Sequence, residues 1–214
     1  MLGKLLGIHH RVAFLLSSGA AICGGTAMAA VAPIIKAKPQ ELLIAMTIVF
    51  LLNAAAIIIF PIMGNHLGMN NFEFGAWSAL AIHDTSSVIG SALIFSNESA
   101  QVAATLKLGR TIWLIPLILI ANWMFNKQAQ VTKFPRFILF FILAIIANTL
   151  FAFNEKVINL LQISSQAFLL FGLFCIGSQF DSIELKSISG KPLILALMLW
   201  AMVIPSAYFL VKYF

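Results

Sequence analysis

Charged side chains are scarce in this 214-residue sequence, since Asp, Glu, Lys and Arg make up 9% of it and hydrophobic residues make up 61%. Soluble domains carry about 25% charged residues. Because one water-soluble core cannot hide so many apolar side chains, the composition excludes an ordinary soluble domain. It predicts an integral membrane protein.

Cysteine is also rare, with only Cys23 and Cys175, each inside an apolar stretch. Neither has a partner at metal-ligand spacing, so we expect no disulfide framework and no metal site. The sequence has no His-Glu-x-x-His, no Gly-x-Ser-x-Gly and no phosphate-binding loop, which are signatures of common enzymes. We therefore expect neither an enzyme nor a cofactor, and an intramembrane enzyme is a distant third hypothesis.

Acidic residues are outnumbered by basic ones, 7 to 13, which gives a net charge of +6. The basic side chains cluster at the ends of apolar segments, where lipid headgroups and the positive-inside rule place them. This distribution favours a lipid bilayer as their partner and argues against nucleic acid.

Seven apolar segments can be recognised, each near the roughly 20 residues that cross a hydrocarbon core of about 30 Å. Runs of this length without strict alternation of polarity are helices in a membrane. The sequence therefore predicts an all-α polytopic membrane protein, with residues 1–214 as a single transmembrane domain. The segments are Val12–Ile35, Leu42–Met63, Phe72–Phe95, Ala100–Phe125, Phe137–Phe153, Ile163–Phe180 and Pro192–Val211.

The third segment is interrupted near its middle by the polar run His83, Asp84, Thr85, Ser86 and Ser87. An Asp at the centre of a membrane helix costs about 2.5–3.5 kcal/mol, so such a group usually faces a protein interior or a watery cavity and handles an ion or a polar substrate. Because histidine can titrate near neutral pH and a carboxylate can hold a proton or a cation, we predict that His83 and Asp84 couple H⁺ or Na⁺. The alternative is a buried polar knot that holds helices together.

The first segment is interrupted in an equivalent context, by Cys23, Gly24, Gly25 and Thr26. Adjacent glycines permit unwinding, and the half-helix that would start near Thr26 has an N-terminus suited to anions. The preceding residues are alike in the two segments, Ser18-Gly-Ala-Ala-Ile-Cys23 and Ser78-Ala-Leu-Ala-Ile-His83. Paired discontinuous or re-entrant helices are typical of inverted-repeat transporters, whose ligands bind near the membrane midplane. Small-residue packing between helices is the alternative.

We therefore predict that a small anion binds between the two interruptions. Lys107 and Arg110 share one face of the fourth segment, where they attract the anion or instead snorkel to the membrane interface. The lone amides Asn53 and Asn148 are expected to make interhelical hydrogen bonds. The predicted substrate-binding residues are Ser18, Cys23, Gly24, Gly25, Thr26, Thr85, Ser86 and Ser87.

Two blocks of the sequence resemble the YeiH-like family of proposed sulfate exporters. The stretch from Ser18 to Pro33, followed by Lys36-Ala, is similar to that family's "SICG-SAIAA-AP-I-KA" block. The stretch from Phe74 to Val88 is similar to its "FG-WAG-SIHE-AQV" block, with Asp84 in place of Glu and two serines in place of Ala-Gln. Lys107-Leu-Gly-Arg110 and Gly190-Lys191-Pro192-Leu193 also fit family patterns. The resemblance implies a multi-pass protein of the bacterial inner membrane that exports sulfate or a related small anion.

Members of that family carry further apolar segments ahead of the first block. We therefore expect residues 1–214 to correspond to the C-terminal two thirds of a longer fold, and a second copy or another partner to supply the missing helices. The leading hypothesis is a secondary transporter of a sulfate-like or sulfonate-like anion. The alternative is a truncated, non-transporting membrane subunit, in which the polar breaks serve helix packing or partner docking.

Overall fold

The structure is a computed structural model that describes residues 2–125 and 190–213, together with scattered positions between 140 and 171. Every element within these ranges is a helix, and no strand occurs among the described residues. The predicted all-α class is confirmed to that extent. The fifth and sixth predicted segments lie mostly outside the described residues.

The chain divides into two compact units, one formed by Met1–Gln130 with Ile188–Phe214 and the other by Val131–Ser187. The candidate site lies in the first unit, and the prediction of a single transmembrane domain stays a prediction. The described helices of the first unit are α1 (Leu2–Leu5), α2 (His10–Ala21), α3 (Gly25–Val31), α4 (Pro39–His66), α5 (Asn71–Ala81), α6 (Thr85–Phe95), α7 (Asn97–Thr111), α8 (Leu114–Phe125) and α9 (Gly190–Tyr213).

Three stretches of the described chain are long and apolar enough to cross a membrane: α4, α7 together with α8, and α9. They correspond to the second, fourth and seventh predicted segments. Large apolar side chains remain exposed on them, including Ile58, Trp123 and Phe209. Since a bilayer solvates such side chains, these surfaces fit a membrane protein.

The fourth predicted segment is interrupted by a short turn between α7 and α8. The amides of Ile112 and Trp113 donate to carbonyls three residues earlier, which tightens the last turn of α7. Pro116 follows in the first turn of α8, where its missing N–H leaves no intrahelical bond unmade. The proline therefore explains why one apolar segment forms two successive helices.

Close approach of α5 and α7 aligns the elements of the site. A Cβ atom added to Gly75 of α5 would lie 2.6 Å from the Ser99 carbonyl oxygen of α7, so only glycine permits this contact. α6 packs against α7 and α4, whereas α9 packs against α5 and α2. The side chains of the second half of α7 consequently reach the C-terminal end of α5.

Candidate functional site

Helix breaks occur at both predicted interruptions, and each consists of three residues. α2 ends before Ile22-Cys23-Gly24, and α3 begins at Gly25, one residue ahead of the predicted Thr26. α5 ends before Ile82-His83-Asp84, and α6 begins at Thr85. Each apolar segment is thus built from two half-helices around a short non-helical link.

The two breaks lie against each other through Gly24 and Asp84. A Cβ atom on Gly24 would lie 3.4 Å from the backbone nitrogen, Cα and Cβ of Asp84. Gly24 also has φ +64° and ψ −120°, a conformation that L side chains rarely adopt. The positive φ therefore accounts for glycine at the first break, and Asp84 of the second break lies in direct contact with this position.

Asp84 is the N-cap of α6. Its carboxylate accepts hydrogen bonds from the amide of Ser86 at 3.1 Å, from the amide of Ser87 at 3.3 Å and from the Ser86 hydroxyl. A negative side chain is stabilised at this position by the free N–H groups and by the helix dipole. The protein's own carboxylate therefore occupies the place where a helix N-terminus would hold an anion.

Buried donors satisfy the carbonyls at the end of α5. Lys107, which is 0% exposed, donates from Nζ to the carbonyl oxygens of Ile82 at 2.7 Å and Ala79 at 3.3 Å. The indole Nε1 of Trp200 donates to the Ala81 carbonyl oxygen at 3.0 Å. A helix end inside a membrane requires such partners because lipid offers no hydrogen bonds.

Arg110 connects the ends of the two broken helices. Its Nη1 donates to the carbonyl oxygens of Leu80 at 2.8 Å and Ala79 at 3.1 Å in α5. Its Nε and Nη2 donate to Ala21 at 2.9 and 2.6 Å, and Nη2 also donates to Ala20 at 3.0 Å, in α2. A guanidinium has five N–H groups, and these bonds use all of them. The side chain is therefore fully engaged by backbone.

Charge at the breaks is not balanced by ion pairs. Neither Lys107 nor Arg110 forms an ion pair within the described part of the chain, where the bridges are those of Glu41 and Glu73. Lys107 nevertheless interacts electrostatically with Cys23, His83 and Asp84. Two cations and one carboxylate thus share this region.

The structure brings together six of the predicted residues: Cys23, Gly24, His83, Asp84, Lys107 and Arg110. Ser86 and Ser87 join them through the Asp84 cap. Among the others, Thr85 is partly buried beside the cap and Thr26 is exposed. The Ser18 hydroxyl donates to the Leu15 carbonyl oxygen of its own helix, and Gly25 packs against the Phe50 ring. The substrate-binding and ion-coupling roles of all these residues stay predictions.

Two residues of the site were not predicted. Asn53 of α4 accepts a hydrogen bond on Oδ1 from the His83 amide at 3.3 Å, and Trp200 of α9 lies with its ring 6.3 Å from the His83 imidazole. The predicted interhelical hydrogen bond of Asn53 is confirmed by this contact, whereas Asn148 lies outside the described residues. No local pattern marks Trp200, because its partners lie far away in the sequence.

Comparison with known proteins places the chain among membrane proteins. Residues 1–196 match the family described as Conserved hypothetical protein 698. Relatives named UPF0324 membrane protein include one from Bacteroides thetaiotaomicron, 39% identical over 94% of this chain and 61% of the relative. Others come from Porphyromonas gingivalis, 41% identical over 94% and 62%, and from Vibrio vulnificus, 41% identical over 95% and 67%.

The chain spans about three fifths to two thirds of the length of these curated relatives. Their names state a membrane protein and no activity. No solved structure matches the chain.

Proposed function

The chain belongs to the Conserved hypothetical protein 698 family, whose relatives are named as membrane proteins, and on that premise we propose that it serves as a secondary transporter of a small anion across the bacterial inner membrane. The observation that carries this proposal is the contact between the two broken helices, Gly24 against Asp84. Discontinuous helices that meet within a membrane bring polar backbone ends to a place where ions bind.

An anion fits the charges at the breaks better than a cation does. Lys107 is wholly buried, Arg110 lies beside it, and Asp84 is the only carboxylate that interacts with Lys107 among the described residues. A buried cation without an ion pair is expensive. A sulfate-like or sulfonate-like substrate would supply the missing negative charge, in keeping with the resemblance to proposed sulfate exporters.

Asp84 and His83 couple H⁺ or Na⁺ to the substrate in this proposal. The Asp84 carboxylate and an incoming anion compete for the same amides at the start of α6. A coupled ion held by the carboxylate would reduce its repulsion of the anion. Transport of the anion should therefore depend on the H⁺ or Na⁺ concentration.

Sulfate flux in proteoliposomes tests these roles. Asp84→Asn keeps a good N-cap residue but removes the negative charge, so we expect flux without pH dependence. His83→Ala should lower flux. Ser96→Ala, which alters the N-cap of α7 instead, should retain both flux and pH dependence. Unchanged flux and pH dependence in both Asp84→Asn and His83→Ala would refute the ion-coupling roles of these two residues.

The non-transporting subunit remains a second candidate because of Arg110. All five of its donors bind backbone, which is what a purely structural polar knot requires. Labelling of Cys23 with a membrane-impermeant thiol reagent, in a Cys175→Ser background, separates the two functions. A transporter exposes Cys23 to water in at least one state, whereas a packing element keeps it unreactive throughout.

A further inference from the structure

We propose that Asn53 of α4 is a direct ligand of the substrate oxyanion, with the buried Lys107 as the nearby positive charge. The inference rests on the proposed function and adds a residue of α4 to the site formed by the two breaks. Asn53 is 1% exposed and His83 is 2% exposed. The two are joined by the hydrogen bond from the His83 amide to Asn53 Oδ1.

Both side chains carry a buried polar atom without a hydrogen-bond partner in the described part of the chain, Nδ2 of Asn53 and Nδ1 of His83. The bond to Oδ1 fixes which end of the amide faces the His83 backbone, so Nδ2 is the end that is left over. An unmade hydrogen bond at a buried group costs about 1–3 kcal/mol, and more than about 90% of buried polar groups are paired in native proteins. Asn53 and His83 are joined by one hydrogen bond, and each keeps one unpaired polar atom. This arrangement indicates that a ligand binds reversibly at the break.

The chemistry of the available donors defines that partner. The Nδ2 group of Asn53 can only donate, and Lys107 uses two of its three N–H groups on carbonyls. Arg110 has no N–H group left for a ligand. Lys107 and Asn53 bind the same peptide group, at the Ile82 carbonyl and the His83 amide respectively. Because a buried cation lies that close to the free donor, the partner should be a negatively charged acceptor. An oxyanion with several oxygens, sulfate or a sulfonate, meets this requirement.

Binding of radiolabelled sulfate to the chain in lipid nanodiscs tests the assignment. Asn53→Ala should weaken sulfate binding about tenfold, the equivalent of one lost hydrogen bond of about 1.4 kcal/mol, and Asn53→Asp should abolish it by repulsion. Ser78→Ala is the matched control, because that buried hydroxyl donates to the Gly75 carbonyl oxygen of its own helix. Competition with methanesulfonate and with chloride separates sulfonate and sulfate recognition from a general charge effect.

Wild-type affinity in Asn53→Ala, or no sulfate binding by the wild type, would overturn the assignment. If the variants do not fold, ¹⁵N NMR of the histidine side chains in the wild type decides instead. Sulfate should shift the His83 Nδ1 resonance, and a resonance that does not move contradicts the proposal.

Flux measurements distinguish a failure of this inference from a failure of the proposed function. Sulfate binding that is lost in Asn53→Ala, in a chain that carries no flux, supports the ligand role and refutes transport by this chain. Equal flux in the wild type and in Asn53→Ala refutes the ligand role and leaves transport standing.

Discussion

The arrangement of the two breaks depends first on Gly24. Its positive φ turns the chain between α2 and α3, and Asp84 lies at van der Waals distance from the position that a Cβ atom would take. Arg110 is the second such residue, because one side chain holds the ends of two helices. The site thus depends on the backbone conformation that glycine permits at position 24 and on the five N–H donors of Arg110.

Gly24→Ala should destabilise the protein by about 1–3 kcal/mol, the range for a residue held in a sparsely populated backbone conformation. Gly109→Ala is the matched control, since Gly109 lies within α7 and an added Cβ meets nothing within 4 Å. Alanine there should be neutral or stabilise the helix by up to about 1 kcal/mol. Thermal unfolding of both variants in detergent measures the difference, and equal midpoints would contradict the role of Gly24.

Arg110→Lys should lower the free energy of unfolding by about 3 kcal/mol, because an ammonium cannot supply five donors in a planar fork. The carbonyls of Ala20, Ala21 and Leu80 would compete for at most three N–H groups. Arg11→Lys is the control, since the partly buried Arg11 contacts Glu41 at 3.9 Å, an ion pair that lysine can also form. Chemical denaturation of the two variants side by side tests the prediction.

At the scale of elements, the two interrupted segments are stabilised from outside themselves. α7 provides the cations that bind the C-termini of α2 and α5, and α9 provides the indole that binds Ala81. The N-terminus of α6 is capped from within, by Asp84. An apolar segment can therefore be broken inside a membrane protein because neighbouring helices supply the hydrogen bonds that the break removes.

Two substitutions of Asp84 distinguish its role as the N-cap of α6 from the role of its negative charge. Asp84→Ala removes the cap and should lower stability by about 0.5–2 kcal/mol, whereas Asp84→Asn, which retains a side-chain acceptor, should lose much less. Hydrogen exchange of the Ser86 and Ser87 amides reports the cap directly. Equal protection in the alanine and asparagine variants would show that the carboxylate does not hold α6.

On the scale of the molecule, α9 joins elements that are distant in the sequence. Trp200 of α9 donates to Ala81 of α5, and Trp77 of α5 donates to the Ile204 carbonyl oxygen of α9 at 3.1 Å. The Phe60 ring of α4 stacks on both indoles, at centroid distances of 4.4 and 5.8 Å. These reciprocal contacts connect the second break to the C-terminal part of the chain.

Trp200→Phe should therefore destabilise the protein by about 1–3 kcal/mol, because the ring is kept while the Ala81 carbonyl loses its donor. Trp123→Phe is the control, since Trp123 is 82% exposed on α8, and it should be nearly neutral. Comparable losses in the two variants would mean that the Trp200 hydrogen bond contributes little.

The sequence alone predicts the membrane class, the all-α class of the described residues and the approximate positions of both breaks. These depend on local properties, namely the length of apolar runs, the Gly24-Gly25 pair and the polar residues from His83 to Ser87. Each acts on the backbone within a few residues. That locality explains why each observed break overlaps its predicted run, although Thr85, Ser86 and Ser87 belong to α6 and not to the second break.

Only the tertiary structure decided what the polar residues contact. Arg110 was expected to face an anion or the membrane surface, yet its partners lie 89 and 90 residues away in α2 and about 30 away in α5. Spacing along one helix shows that Lys107 and Arg110 share a face, but it does not show which helix ends that face meets. That outcome depends on close packing at Gly75, and long-range packing leaves no periodic trace in the sequence.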